Sequence, residues 1–138
     1  MWQRERALAL GTAAWGVPSV VAGVLLARHP DPWWRAFGQQ QAGWGAVDLA
    51  VAGVAVPVRR RRMARRRDPH APPTLEAERR WFRRLLLANV AADVGYVLVG
   101  VLLWRRGTPK VSGAGAGVVV QGAFLLLHDA HHAWRLRP

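Results

Sequence analysis

Asp48, Asp93 and Asp129 each lie within, or at the end of, a different long apolar stretch of this chain. A carboxyl group in such a setting can take up and release a proton, bind a cation or polar solute, or hydrogen-bond to a neighbouring helix. Placing its charge at the centre of a membrane helix costs about 2.5–3.5 kcal/mol, so it turns to a protein interior or a wet cavity rather than to lipid. No Arg or Lys stands at the depth of Asp48 or Asp93. The neutral acid is therefore the expected form of Asp93.

Hydrogen-bonding residues stand at helical spacing around these acids, since positions three, four, seven or eleven apart share a helix face. Asn89, Asp93, Tyr96 and Gly100 form one stripe. Gln41, Trp44 (or Gly45) and Asp48 form a second, and Gly113, Gly117, Gln121, His128 and His132 a third. The polar set Gln41, Trp44, Asp48, Asn89, Asp93, Tyr96 and Gln121 is expected to face a common axis, with Asn89 or Gln121 as the partner of Asp93. That axis has two readings. In one it is a site for a proton-linked or small polar solute. In the other, its groups bond across helices and hold a non-catalytic scaffold together, each link worth about 0.6 kcal/mol.

His128 and His132 have the i, i+4 spacing that can chelate a metal from one helix. Two nitrogens and a carboxylate off their face make an incomplete set. Basic groups also complement a helix C-terminus. His128, Asp129 and His132 are therefore read as a cytoplasmic helix end, and no metal site is assigned. The Gly113-Ala-Gly-Ala-Gly117 run lacks the frame of a phosphate loop, and close helix packing is its expected role. The chain has no Cys, which excludes disulfides and thiolate chemistry. No nucleophile–base pair or cofactor motif is visible. An enzyme is thus the least supported class, and no cofactor is expected.

These residues need elements to hold them, and the apolar stretches are those elements. They run 7–27, 36–58, 85–104 and 111–134, each long enough as a helix to cross about 30 Å of hydrocarbon. Mean hydropathy over the chain is only +0.02, because a net charge of +12 is gathered into the connectors and ends. A soluble bundle would spread charge along one face of every helix instead. The first stretch exceeds the 7–15 residues of a signal-peptide core and lacks a small-residue cleavage site, so it is expected to be a retained span.

Of the twenty Arg and Lys residues, fifteen fall on the side shared by both tails and the second connector, and five on the other. The positive-inside rule then puts both termini in the cytoplasm. The expected fold is an all-α, up-down four-helix transmembrane bundle, N-in and C-in. Residues 1–138 form a single four-span domain, with a cytoplasmic Arg/Pro-rich connector at 59–74. Within that connector, Asp68 to Pro73 is expected to be non-helical. A third helix over 75–104 should follow, with Thr74 as its N-cap and Trp81 and Phe82 at the membrane interface. Arg59, Arg60, Arg61 and Arg62 are expected to contact anionic lipid head groups rather than nucleic acid.

A faint internal repeat accompanies this pattern. Gly23-Val-Leu-Leu-Ala-Arg28 is echoed by Gly100-Val-Leu-Leu-Trp-Arg105, 77 positions later, and Gln41 by Gln121, 80 positions later. Two hairpins of one orientation would be parallel repeats about an axis along the membrane normal.

Three segments carry a family likeness: Phe37-Gly38-x-Gln40-x-x-x-Trp44-Gly45-x-Val47-Asp48-Leu49, Asn89-x-x-x-Asp93-Val94-x-Tyr96-Val97, and Gly117-x-x-x-Gln121-Gly122-x-Phe124-Leu125-Leu126-x-x-Asp129-x-x-His132. Together they resemble a family of small, functionally uncharacterised bacterial membrane proteins. The resemblance implies four spans in a bacterial cytoplasmic (inner) membrane and no particular activity. An Arg-rich, Lys-poor composition points the same way. The expected partners are the lipid bilayer and its anionic head groups, and so small a bundle is also suited to a homo-oligomer.

Overall fold

The computed structural model describes residues 1–136; Arg137, counted above with the C-terminal tail, lies outside the described residues. Four helices make up the fold: α1 (Trp2–Leu26), α2 (Pro32–Ala64), α3 (Pro72–Arg106) and α4 (Pro109–Trp134). Each is long and apolar enough to cross a membrane.

Proline sets three of the four helix starts. Pro32, Pro72 and Pro109 open α2, α3 and α4, where the missing N–H would have had no helical partner. Asp31 caps α2 by accepting a hydrogen bond from the Trp33 amide at 2.7 Å. The expected start of the third helix is corrected by the same rule. α3 begins at Pro72 after Ala71, not at Leu75 after Thr74, and runs on to Arg106. Pro72 and Pro73 occupy the first turn, so a pair that would break a helix interior opens this one. α2 likewise continues through the Arg59–Arg62 run to Ala64.

At 1.5 Å per residue, α2 and α3 reach roughly 50 Å, well beyond a hydrocarbon layer of about 30 Å. Their surplus lies at the same end, where a small apolar cluster of Phe82, Leu86, Ala133 and Leu136 forms beside Met1 and Leu8. Phe82 is thus buried at 7% exposure. Its neighbour Trp81 alone of the expected interface pair faces outward.

α1 packs along α2, and α3 along α4; α2 and α4 join the two hairpins, while α3 makes no close backbone contact with α1 or α2. Glycines permit the closest approaches. A Cβ on Gly23 would strike the Gly38 carbonyl and the Ala42 amide, and one on Gly38 would strike the Gly23 carbonyl and the Ala27 amide. The second hairpin repeats this contact for contact. A Cβ on Gly100 would strike the Gly115 carbonyl and the Val119 amide, and one on Gly115 the Gly100 carbonyl and the Trp104 amide. Gly45 against Ser19 and Val20 is matched by Gly122 against Tyr96 and Val97.

Every one of these pairs is offset by 77 positions, as are the helix-opening Pro32 and Pro109. The two hairpins are therefore structural repeats. Gln40 and Gly117, equivalent at that offset, touch each other directly, as equivalent positions near a two-fold axis do. The packing also corrects the proposed match of Gln41 with Gln121. The residue equivalent to Gln121 is Trp44.

Candidate functional site

The seam between α2 and α4, together with Asp93 of α3, carries most of the buried members of the expected polar set. Gln41, Asp48, Asp93 and Gln121 are all at least 95% buried, and Gln121 is the most enclosed at 1% exposure. Gln41 donates across the seam to the Gly117 carbonyl at 3.3 Å. The Gln121 side-chain oxygen accepts from the Trp15 indole N–H. Asp48 has the Gln121 side chain beside it and Asp129 and Asp93 as its charged neighbours. Even so, Asp48 Oδ2, Asp93 Oδ2 and Gln121 Nε2 are buried with no hydrogen-bond partner among the described residues. Buried polar atoms are ordinarily paired, so three orphans in one small region are unusual.

Two expected members are placed differently. Asn89 was expected beside Asp93, but it donates to Asp129 Oδ2 at 3.0 Å and is otherwise exposed. The reason is register: the packing of α3 on α4 sets Asn89 level with Asp129. Asp129 is consequently buried, 7% exposed, in the last turns of α4, which ends at Trp134. Tyr96 is 45% exposed and meets the half-buried Trp44 edge-on at 5.5 Å.

His128 and His132 stand in an aromatic column. Trp15 stacks on Phe124 at 4.4 Å, Phe124 on His128 at 5.2 Å, and His128 meets His132 at 4.8 Å. His128 Nε2 is 3.2 Å from the Leu8 carbonyl and 3.5 Å from the Thr12 hydroxyl. Gly11 makes room for this ring, since a Cβ there would come within 2.5 Å of His128 Cε1. Among the described residues no group of three or more His, Asp or Glu side chains could hold a metal ion.

At the Arg-rich end, Arg62 turns inward, unlike its neighbours. It pairs with Glu78 and, at 3.5 Å, with Glu5. Its guanidinium lies 4.2 Å over the Trp81 ring, a geometry that favours a cation. Glu78, 3% exposed, also holds Arg66 at 2.8 Å. α1, α2 and α3 are thus tied together where α3 otherwise stands apart. Arg60 and Arg61 remain exposed.

Sequence reasoning missed Trp15, Glu5 and Glu78. Trp15 has a readable signal: it falls on the same face as Thr12 and Ser19, the polar residues of the first span, and an indole N–H in an apolar segment needs an acceptor. Glu5 and Glu78 are acids set among arginines, a pattern compatible equally with surface pairing.

No curated protein and no solved structure matches the chain. One family does, over residues 11–130, which takes in all three acids and the whole seam. With four span-length helices around that seam, the chain belongs to a family of unknown function (DUF6992).

Proposed function

We propose that this chain is a multi-pass protein of a bacterial inner membrane, with both termini in the cytoplasm, and that it binds a proton-linked or small polar solute at the Asp48/Asp93/Gln121 site. The observation that carries this reading is the set of unpartnered buried atoms, Asp48 Oδ2, Asp93 Oδ2 and Gln121 Nε2. Acceptors and a donor left open at one place suit a guest that supplies their complement. Asp48 also has two acids and no arginine or lysine among its charged neighbours, so neutrality there calls for protons or a bound cation.

Infrared difference spectroscopy on the reconstituted protein tests the site. A band of protonated carboxyl should respond to pH and be lost or reduced in Asp48→Asn and Asp93→Asn. A spectrum unchanged by either substitution overturns the reading. Fusing a periplasm-active reporter after Trp33 and after Pro72 tests the orientation. Activity at Trp33 alone is expected, because Pro72 lies on the arginine-rich side.

A second reading, a scaffold whose polar groups serve packing, is favoured by three cross-helix bonds: Gln41 to Gly117, Trp15 to Gln121 and Asn89 to Asp129. It predicts that Asp48 and Asp93 variants leave proton uptake unaltered.

A further inference from the structure

Because α3 stands apart from α1 and α2, a groove of about 740 Å³ opens between them at the Arg-rich end. That is within the usual size range of ligand pockets, about 300–1,000 Å³. Small residues line its floor, among them Ala9, Ala13, Ala52 and Gly53. Arg6, Arg59 and Arg60 stand at its mouth beside Trp81, with Leu49 at the deep end. From Leu49 to Arg60 is eleven helical residues, or roughly 16 Å, close to half of a hydrocarbon layer of about 30 Å. The groove therefore has the depth of one leaflet.

We infer that this groove holds an anionic phospholipid, one acyl chain along the Ala/Gly floor and the phosphate at Arg6, Arg59 and Arg60. Charge complementarity selects this occupant. Arg6, Arg59 and Arg60 make no ion pair among the described residues, and Glu5, the acid in the lining, is engaged by Arg62. Arg62 itself is fixed by Glu5, Glu78 and Trp81 and forms a wall rather than a head-group contact. The floor suits a chain because it is apolar and smooth: a Cβ on Gly53 would meet nothing within 4 Å. Basic pockets between spans are where anionic head groups are held.

The inference rests on the membrane reading, and the two fail differently. Release of the chain from membranes by an alkaline carbonate wash would sink the membrane reading. Selective lipid retention can fail with insertion intact, and that outcome sinks only the groove. The protein is reconstituted in vesicles of equal phosphatidylglycerol and phosphatidylcholine, extracted in mild detergent, and its retained lipid identified by native mass spectrometry. Phosphatidylglycerol should be retained over phosphatidylcholine. Arg59→Gln with Arg60→Gln should weaken that retention about thirtyfold, the effect of two surface charges. Gly53→Leu keeps every charge, fills the floor and should release the lipid without lowering the thermal midpoint. Arg105→Gln with Arg106→Gln, at the opposite end of the spans, should change nothing. Equal retention of the two lipids, or unchanged retention in either the arginine pair or Gly53→Leu, overturns the assignment.

Discussion

The two hairpins share a backbone and differ in chemistry. Gly23 and Gly38 lock α1 to α2 as Gly100 and Gly115 lock α3 to α4. Yet no acid of the polar core meets its own kind at the 77-residue offset. Asp48 corresponds to Leu125, Asp93 to Gly16, and Asp129 to Ala52; Gln121 corresponds to Trp44. A symmetric frame therefore encloses one asymmetric site. The glycine contacts need the repeat because backbone must meet backbone in both hairpins. The site needs its departure from symmetry, since it collects Asp48 from one hairpin and Asp93, Gln121 and Asp129 from the other. On the proposed reading, that arrangement gives one site per chain and not two.

The comparison breaks first at the glycines. Gly38→Ala and Gly115→Ala each push a methyl into main-chain atoms that cannot retreat. Each should cost about 2–3 kcal/mol in detergent melts, the upper part of the usual overpacking range. A loss in one hairpin without the other would end the equivalence. Gly43 and Gly95 face open space. Alanine there should be neutral or stabilising by up to about 1 kcal/mol, as helix propensity dictates.

The next effects lie in the side-chain bonds that α4 makes to the other helices, Trp15 of α1 to Gln121 and Asn89 of α3 to Asp129. Gln121→Leu leaves the Trp15 indole N–H without its acceptor, at a cost of about 1–2 kcal/mol. Adding Trp15→Phe should restore part of that loss, and a double-mutant cycle reads the coupling. Asp129→Leu strands Asn89 and should cost about 0.6 kcal/mol, the average for such a bond in a membrane. Asp93→Leu should do the opposite. It removes an already unpartnered buried oxygen, so the variant should melt at or above the parent while losing any proton response. A melt lower than that of Asp129→Leu would reveal a partner for Asp93.

Much of this frame was legible in the residues. Apolar stretches of span length separated by arginine clusters mark four helices, and helical periodicity set Gln41, Asp48, Asp93 and Gln121 toward one axis. What escaped is what no single helix encodes. The pairing of Asn89 with Asp129 depends on the register of α3 on α4, which the Gly100–Gly115 contact sets. The glycine hexapeptides gave the right offset because they make the contact. The two glutamines misled because the equivalence of positions in packing does not require like residues. At α3 the proline rule was applied to a helix interior, where Pro is excluded, and not to a first turn, where it is welcome. Trp15 was not singled out, although its N–H holds Gln121, one of the two most buried side chains.

The smallest expected effect compares Thr12 with Asn89, which the repeat makes equivalent. Both look across to α4, Thr12 to His128 at 3.5 Å and Asn89 to Asp129 at 3.0 Å. Their local positions differ. The Thr12 hydroxyl already donates to the Leu8 carbonyl of its own helix at 3.1 Å, so its proton is engaged whether or not His128 is there. His128 in turn has the Leu8 carbonyl at 3.2 Å. Thr12→Val thus strands neither residue and should cost less than about 0.6 kcal/mol, below the membrane average for an interhelical bond. Asn89→Leu removes the donor that Asp129 Oδ2 uses and should cost more. If Thr12→Val proves the costlier of the two in matched detergent melts, Thr12 adds a third polar contact from the first hairpin to α4, beside those of Trp15 and Gln41. The site would then draw on both repeats more evenly than the placement of its acids indicates.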